Sequence, residues 1–385
     1  MKDLIICLGG DIVPPTKNQK AFCDGDIDKL IDDNLQGVLN VSDVNILNLE
    51  TPLCDKLTPI AKCGPNLHTP SACVRGLRTM NITALGCANN HILDYGCEAL
   101  IRTTKLCNEW GIDVFGIGKK LQEAAKPYII EKNGRRVGVY ACAEHEFSIA
   151  TETCAGANPY DALYSFDHVT ALKTECDYVI VMFHGGKEYY RYPSPDIQRI
   201  CRRFVEKGAD LVVTQHTHCI GCRENYKDGV IIYGQGNFLF DQSAFGDKES
   251  YANGLLLKIT LSAHNTVEEL PVILRDDGSL SLATQKDREK IITGYKKRSQ
   301  EIITEGFVDD NYDKFALSYI EEYLRIPLGY LNTNIILRVL NRLLGRKIFF
   351  LFTNRRHRLY LLNTIECEAH RELFIRGLKR LIYRG

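Results

Sequence analysis

The hydrophobic and polar positions divide the chain into two regions with different periodicity. Over residues 1 to about 240, short runs rich in Val, Ile and Leu alternate with longer amphipathic segments. Such runs indicate buried strands, and the amphipathic segments between them indicate helices. Two of these helices are predicted over 97–110 and 195–207, the second with Ser194 as N-cap and Pro195 at its first position. The alternation predicts an α/β domain.

Further strands and a change of pattern follow. Asn133-Gly134 separates two strand-like runs and is typical of a two-residue hairpin, so the sheet is expected to be partly mixed. Residues 252–275 are interpreted as two more strands, which we expect to close a second sheet. From about residue 284 the pattern becomes helical, with few glycines. We therefore predict one domain over 1–282 and a helical C-terminal region over 283–385.

Composition and charge narrow the class of protein. The 385 residues are 45% hydrophobic and 25% charged, and 48 Lys+Arg balance 48 Asp+Glu. These values are typical of a globular chain and argue against a disordered chain or a uniformly basic nucleic-acid binder. The charge is uneven, however: residues 331–385 hold 12 Lys+Arg against 3 Asp+Glu, a net charge of +9. We expect no nucleic-acid partner.

Targeting signals and cysteine usage suggest a compartment. The longest apolar runs span five or six residues, shorter than a signal peptide or a membrane-spanning helix requires. The 15 cysteines are an odd number, and several lie in strand-like runs, which favours reduced thiols over a disulfide framework. We expect a cytoplasmic protein, with a peripheral position at the inner face of the membrane as the alternative.

Candidate chemistry lies at the ends of five strand-like runs. The polar residues there are Asp11, Glu50, Asn90 with His91, His184, and His216 with His218. In an open α/β sheet the carboxyl ends of the strands meet at one crevice. Apart from His91, the set holds two carboxylates, a carboxamide and three imidazoles, which exceed what one tetrahedral zinc needs and suit two adjacent divalent ions. The set predicts a dinuclear site for Mn, Fe or Zn and a displacement at phosphorus.

Simpler interpretations exist for each motif. Asp11 alone, after two glycines, is also typical of a turn or helix cap. His216 and His218 point to one side only if their segment is extended. Asn90 and His91 could belong to a capped loop. Residues 216–222 also spell H-x-H-C-x-x-C, but a zinc site rarely draws four ligands from seven residues, so the two thiols are interpreted as incidental.

The same motifs resemble the CapA proteins of poly-gamma-glutamate capsule biosynthesis, which are related to the calcineurin-like metallophosphoesterases. The resemblance rests on GGD (9–11), NLETPL (48–53), ANNHILDYG (88–96), FHGGKEY (183–189), TQHTH (214–218) and IIYGQGNFLFD (231–241). It implies a calcineurin-like sandwich of two packed mixed sheets flanked by helices, here with a C-terminal helical extension.

The resemblance also implies roles for individual residues. It makes metal ligands of six residues: Asp11, Glu50, Asn90, His184, His216 and His218. Glu50 stands where the phosphoesterases place the bridging carboxylate. His91 matches the histidine that assists the leaving group, and we expect Asp94 or a backbone group to orient it. Val13 stands where the phosphoesterases carry a further histidine ligand, and His68 where the family carries an arginine.

Two functions are consistent with these features. The first is a metal-dependent hydrolase, such as a phosphoesterase, acting on a phosphorylated or polyanionic substrate in capsule or surface-polymer biosynthesis, of poly-gamma-glutamate or polysaccharide. The second is a non-catalytic, polymer-binding accessory protein of a membrane-bound capsule synthesis complex. Arg338, Arg342 and Arg346, spaced four apart, predict a basic stripe on a helix. This stripe is either a solvated face or a contact with an anionic membrane surface or that complex.

Overall fold

The structure is a computed structural model that describes residues 2–56, 58–62, 64–240, 251–325, 334–344 and 354–366, together with residues 370, 374, 375 and 378. The chain forms two compact units, Met1–Val308 and Asp309–Gly385. Its strands are β1 (Leu4–Ile12), β2 (Val44–Leu49), β3 (Ala84–Gly86), β4 (Asp113–Phe115), β5 (Ile117–Gly118), β6 (Tyr128–Lys132), β7 (Arg135–Ala143), β8 (Gly156–Ala157), β9 (Tyr178–His184), β10 (Leu211–Gln215), β11 (Ile220–Tyr226), β12 (Gly229–Gln235), β13 (Asn237–Leu239), β14 (Asn253–Leu261), β15 (Thr266–Leu274) and β16 (Leu280–Leu282).

Helices flank these strands. They are α1 (Gln19–Asp24), α2 (Asp33–Val41), α3 (Val74–Thr79), α4 (Gly96–Glu109), α5 (Leu121–Ala124), α6 (Ser165–Glu175), α7 (Pro195–Glu206), α8 (Gln285–Glu301), α9 (Phe307–Arg325), α10 (Ile335–Leu343) and α11 (Arg355–Glu366). Helix α7 starts as predicted, because the Ser194 side chain accepts a hydrogen bond from the Ile197 amide and a proline follows it.

The strands of the first unit form two large sheets. The first has the order β16-β15-β14-β1-β2-β3-β4, with β13 also pairing with β1, and β1 to β4 run parallel. The second has the order β11-β12-β10-β9-β7-β6. Its β6–β7 hairpin turns at Asn133 and Gly134, whose φ angles of 56° and 73° are those of the predicted turn. A short β5–β8 pair stands apart.

The two large sheets pack face to face around one hydrophobic core. Ile6 and Leu8 of β1 share this core with Val139 of β7 and Val213 of β10. A second hydrophobic cluster lies between the second sheet and helices α6 and α7, where Phe204 is fully buried. The predicted sandwich of two mixed sheets flanked by helices is therefore confirmed.

The strands β14 and β15 occupy a different place from the one predicted. They extend the first sheet instead of closing a second one, because β14 pairs antiparallel with β1, from Leu4 opposite Leu261 to Leu8 opposite Leu257. Most of β14 is buried, so its apolar run needs cover on both faces.

The first unit extends beyond residue 282, the predicted boundary, because α8 packs on β11. Arg298 Nε donates a hydrogen bond to the Gly221 carbonyl at 2.7 Å, and Tyr295 is buried. The last strand does end at Leu282. A helix of low hydrophobicity can therefore belong to the sheet-containing unit through a few polar contacts.

The second unit is helical in its described residues. Asn334 caps α10 by accepting hydrogen bonds from the amides of Ile336 and Leu337. Arg338 and Arg342 of the predicted basic stripe lie on this helix, whereas Arg346 lies outside the described residues. Across the described part of the chain, every helix is too short or too polar to cross a membrane.

Candidate metal centre

Strand ends of both sheets meet at one edge of the sandwich. Asp11 lies near the end of β1, and Glu50 follows β2 in the first sheet. His184 ends β9, and His216 follows β10 in the second sheet. His218 lies two residues further on. The convergence arises because these strands run parallel within each sheet, as the sequence pattern predicts.

Five of the predicted ligands form two overlapping groups. The first is Glu50, His184 and His216, and the second is Asp11, Glu50 and His218. Within each group the candidate ligand atoms lie within 4.8 Å of one another, and all five residues are buried. Glu50 belongs to both groups.

Some polar atoms of these five residues are buried without a hydrogen bond to any described residue, and such atoms indicate whether the residues could bind a cation. Within the described chain, neither Glu50 oxygen nor His216 Nδ1 has a hydrogen bond of regular geometry. His184 Nε2 approaches Glu50 Oε1 to 3.2 Å without the alignment of a hydrogen bond. A buried carboxylate left unsatisfied costs folding free energy, and a divalent ion satisfies it. The mixed oxygen and nitrogen donors therefore fit divalent metal ions.

Burial and neighbouring charges shift the pKa values of the candidate ligands. Burial, followed by the Glu50 charge, raises the pKa of Asp11 well above its usual range. Burial also lowers the pKa of His184, to about 4. For Glu50 burial acts in the raising direction, but the imidazoles of His218 and His184 hold its pKa well below the usual range. Burial opposes the charge on His216 too, yet Glu50 raises the pKa of His216 to about 9.

Two asparagines orient the candidate ligands. Asn48 Nδ2 donates to Asp11 Oδ1 at 2.7 Å, and Asn237 Oδ1 lies 2.9 Å from His218 Nδ1. Such partners fix the rotamer of a carboxylate and the tautomer of an imidazole. Both residues lie in motifs of the family resemblance, NLETPL and IIYGQGNFLFD, but the sequence alone assigns neither of them a role. Asn48 and Asn45 are the two polar residues of the buried strand β2, which is a usable signal for a polar role in the interior.

Asn90 lies beside this pair of groups. Its Oδ1 is 3.1 Å from His184 Nε2, and its Nδ2 donates to Glu146 Oε2 at 2.7 Å. The hydrogen bond to Glu146 fixes the amide so that its oxygen faces the imidazole. All six residues predicted as ligands are thus brought to one place, with Glu146 as an additional positioning contact.

His91 belongs to a buried charged cluster next to Asn90. Its Nδ1 lies 2.6 Å from Asp94 Oδ2, so Asp94 orients the ring as expected. Asp94 is fully buried and also accepts a hydrogen bond from the Leu67 amide at 2.6 Å. Lys62 forms an ion pair with Asp94 Oδ1, and its side chain is only 2% exposed. The sequence pattern gave no sign of Lys62.

The backbone at the two neighbouring histidines is left-handed. His216 and His218 have φ angles of 84° and 53°, so the expectation of an extended segment is wrong. Their ring centroids nevertheless lie 5.9 Å apart. Non-glycine residues with such angles cost about 1–3 kcal/mol each and persist where the surrounding structure holds them. Cys219 and Cys222 are buried and reduced, and neither belongs to a ligand group found among the described residues.

The amino-acid sequence matches a known protein family. Residues 5–242 match the family described as "Bacterial capsule synthesis protein PGA_cap". The chain is 31% identical over 212 residues to "Capsule biosynthesis protein CapA" of Bacillus anthracis, covering 53% of this chain and 52% of the relative. It is 30% identical over 212 residues to "PGA biosynthesis protein CapA" of Bacillus subtilis, covering 54% of this chain and 56% of that protein. It thus spans about half the length of the curated relatives it matches.

More distant similarities were also found. A "probable polyglutamine synthesis accessory protein" of Mycobacterium tuberculosis is 24% identical over 247 residues, which is 57% of this chain and 62% of that protein. Among solved structures, a novel phosphatase from Mycoplasma pneumoniae aligns with a TM-score of 0.43 and 13% identity, over 71% of this chain and 94% of that one. The family match covers more than half of the chain. The chain therefore belongs to the bacterial capsule synthesis protein family that includes CapA.

Proposed function

We propose that this chain is a metal-dependent hydrolase that acts on a phosphorylated or polyanionic substrate during synthesis of a capsule or another surface polymer. The observation that carries the proposal is the Glu50 carboxylate. It is fully buried, and neither of its oxygens has a regular hydrogen bond within the described chain. It is also the residue shared by the two candidate ligand groups. A cation pair accounts for both features.

Two divalent ions fit the residues present. His184 and His216 would hold one ion, and Asp11 and His218 the other, with Glu50 common to both. Asn90 would add an amide oxygen near His184. Ions bound there would supply Lewis-acid polarisation of a substrate oxygen. Mn, Fe and Zn suit such a mixture of imidazole and oxygen donors.

The chain's own part in proton transfer centres on His91. Asp94 engages Nδ1 of the ring, which leaves Nε2 as the nitrogen that can give a proton to a leaving oxygen. Lys62 balances the Asp94 charge, so the carboxylate can stay buried beside the imidazole. His91 itself is 8% exposed, so bulk water reaches it little.

The test is the His91→Ala variant, assayed on a panel of phosphomonoesters and phosphodiesters with metal content measured in parallel. We expect hydrolysis to fall roughly 100- to 10,000-fold, the usual contribution of a positioned acid, with metal content unchanged. His264→Ala is the control, because His264 is exposed in the turn after β14. That strand ends at Leu261, which pairs with Leu4 at the start of β1, whereas Asp11 lies near the other end of β1. A loss of metal together with activity would contradict the proton-transfer role.

A second candidate is an accessory protein that binds polymer without hydrolysis. It is favoured by the similarity to the mycobacterial protein described as a probable polyglutamine synthesis accessory protein. In that case the wild-type chain would hydrolyse none of the esters but would bind poly-gamma-glutamate in the presence of metal. Binding would then be lost in His216→Ala, whereas His91→Ala would bind normally.

A further inference from the structure

Helix α10 exposes its apolar side. Five of its apolar side chains are between 42% and 75% exposed: Ile335, Ile336, Val339, Leu340 and Leu343. At 100° per residue these five positions occupy a continuous arc of about 140°. We call this arc the α10 apolar face.

The polar residues of α10 are arranged around that face in a specific way. Arg338 and Arg342 follow one border of the arc, and both are exposed. Asn341 points to the opposite side and is only 3% exposed. The apolar side of α10 is therefore exposed and a polar residue on its other side is buried. A helix that packs on a hydrophobic core shows the opposite arrangement.

We propose that the α10 apolar face docks on the surface of an anionic lipid bilayer, with the helix lying in the plane of the interface. An apolar arc bordered by arginines is the arrangement of interfacial helices, whose basic residues reach the lipid phosphates. Nine residues of helix span about 14 Å, too short to cross the hydrocarbon core. The net charge of +9 over residues 331–385 adds electrostatic attraction to such a surface.

Helix α11 supports the same assignment. Leu359, Leu362 and Ile365 are 50% to 55% exposed, and Arg355 and Arg358 of the same helix are exposed as well. Apolar and basic residues are therefore exposed together on both described helices that follow residue 333. A nucleic-acid partner would neutralise the arginines but leave the apolar side chains in water. A bilayer interface satisfies both.

The experiment is flotation of the full-length protein with vesicles. The two compositions are phosphatidylcholine alone and a 3:1 mixture of phosphatidylcholine and phosphatidylglycerol, at about 20 mM and about 500 mM salt. We expect binding to the mixed vesicles at low salt, weaker binding at high salt and none to phosphatidylcholine alone, because salt screens surface charge.

Two variants separate the charged from the apolar contribution. Arg338→Gln/Arg342→Gln should lower the partition coefficient about 30-fold, since each basic residue contributes roughly fivefold. Lys119→Gln/Lys120→Gln, which removes two exposed charges from the first unit, is the matched control and should bind like wild type.

The apolar contribution is tested at the centre of the face. Ile336→Gln/Leu343→Gln should lower binding by roughly tenfold or more for each side chain. Leu163→Gln is the control, because Leu163 is 73% exposed in the first unit, close to the 75% of Leu343.

Three outcomes would overturn the proposal. The wild-type chain fails to float with anionic vesicles at low salt, or the two α10 variants bind as well as their controls. The third outcome is that the wild-type chain does not bind vesicles but sediments as a dimer, and that Ile336→Gln/Leu343→Gln dissociates this dimer. This result would assign the α10 apolar face to a second copy of the chain.

Discussion

The buried Lys62–Asp94 ion pair makes a quantitative prediction about stability. Lys62→Met keeps the length of the side chain and removes its charge, so Asp94 is left as a buried carboxylate without a cation. Removing one partner of a buried pair costs about 3–5 kcal/mol. Asp94 retains the Leu67 amide and His91 Nδ1, each at 2.6 Å, so we expect the lower end of that range.

A matched control lies in the same segment. Lys56 forms an ion pair with Glu98 at 3.2 Å, but the two side chains are 79% and 85% exposed. An exposed pair contributes about 0.2–1 kcal/mol, so Lys56→Met should leave stability nearly unchanged. The difference between the two variants isolates the burial of the charge.

The assay is urea unfolding of metal-free protein, followed by far-ultraviolet circular dichroism. Lys62→Met should lower the free energy of unfolding by about 3 kcal/mol at an unchanged slope, a loss of more than 100-fold in the folding equilibrium. The double variant Lys62→Met/Asp94→Asn should recover part of that loss, because no charge remains buried. If Lys62→Met and Lys56→Met differ by less than about 1 kcal/mol, the pair does not hold Asp94 as described.

Two further predictions concern close packing and proton competition. Gly10→Ala should destabilise the protein by about 3 kcal/mol or more in the same urea assay, because the new Cβ would lie 2.0 Å from the Gly236 carbonyl oxygen. Gly37→Ala is the control. Its new Cβ would meet nothing within 4 Å outside its own helix backbone, so this variant should be neutral or slightly stabilising. Metal affinity should increase with pH up to about 9, because His216, whose pKa Glu50 raises to about 9, carries a proton that a cation must displace. Calorimetric titration at pH 7.5 in two buffers of different ionisation heat counts the released protons, and metal uptake without proton release would contradict this.

The hydrophobic pattern predicts the strands and the meeting of their carboxyl ends, whereas the sandwich of two sheets is implied by the family resemblance. Val, Ile and Leu runs mark the strands, and a polar residue directly after a run marks its carboxyl end. Asp11, Glu50 and His184 were found in this way, and the structure brings them together. Their role as ligands remains a proposal, since it depends on the ions they would hold.

Other features depend on contacts that no local pattern reveals. Lys62 lies in a polar segment without periodicity, and its partner is 32 residues further along the chain. The pairing of β14 with β1 joins residues more than 240 positions apart, so an apolar run alone could not show which sheet it completes. The left-handed backbone at His216 and His218 likewise arises from tertiary structure, because few non-glycine residues adopt positive φ angles unless surrounding contacts hold them there.

Metal stoichiometry tests the central claim most directly. Elemental analysis of the purified wild-type chain should give two divalent ions. His216→Ala should lose one equivalent and His218→Ala the other, because each belongs to a single ligand group, and Glu50→Gln should lose both since Glu50 belongs to the two groups. His264→Ala, with its exposed imidazole, should retain both ions. Full wild-type metal content in Glu50→Gln, or a metal-free wild-type chain after purification and incubation with Mn²⁺, Fe²⁺ or Zn²⁺, would contradict the shared-carboxylate site.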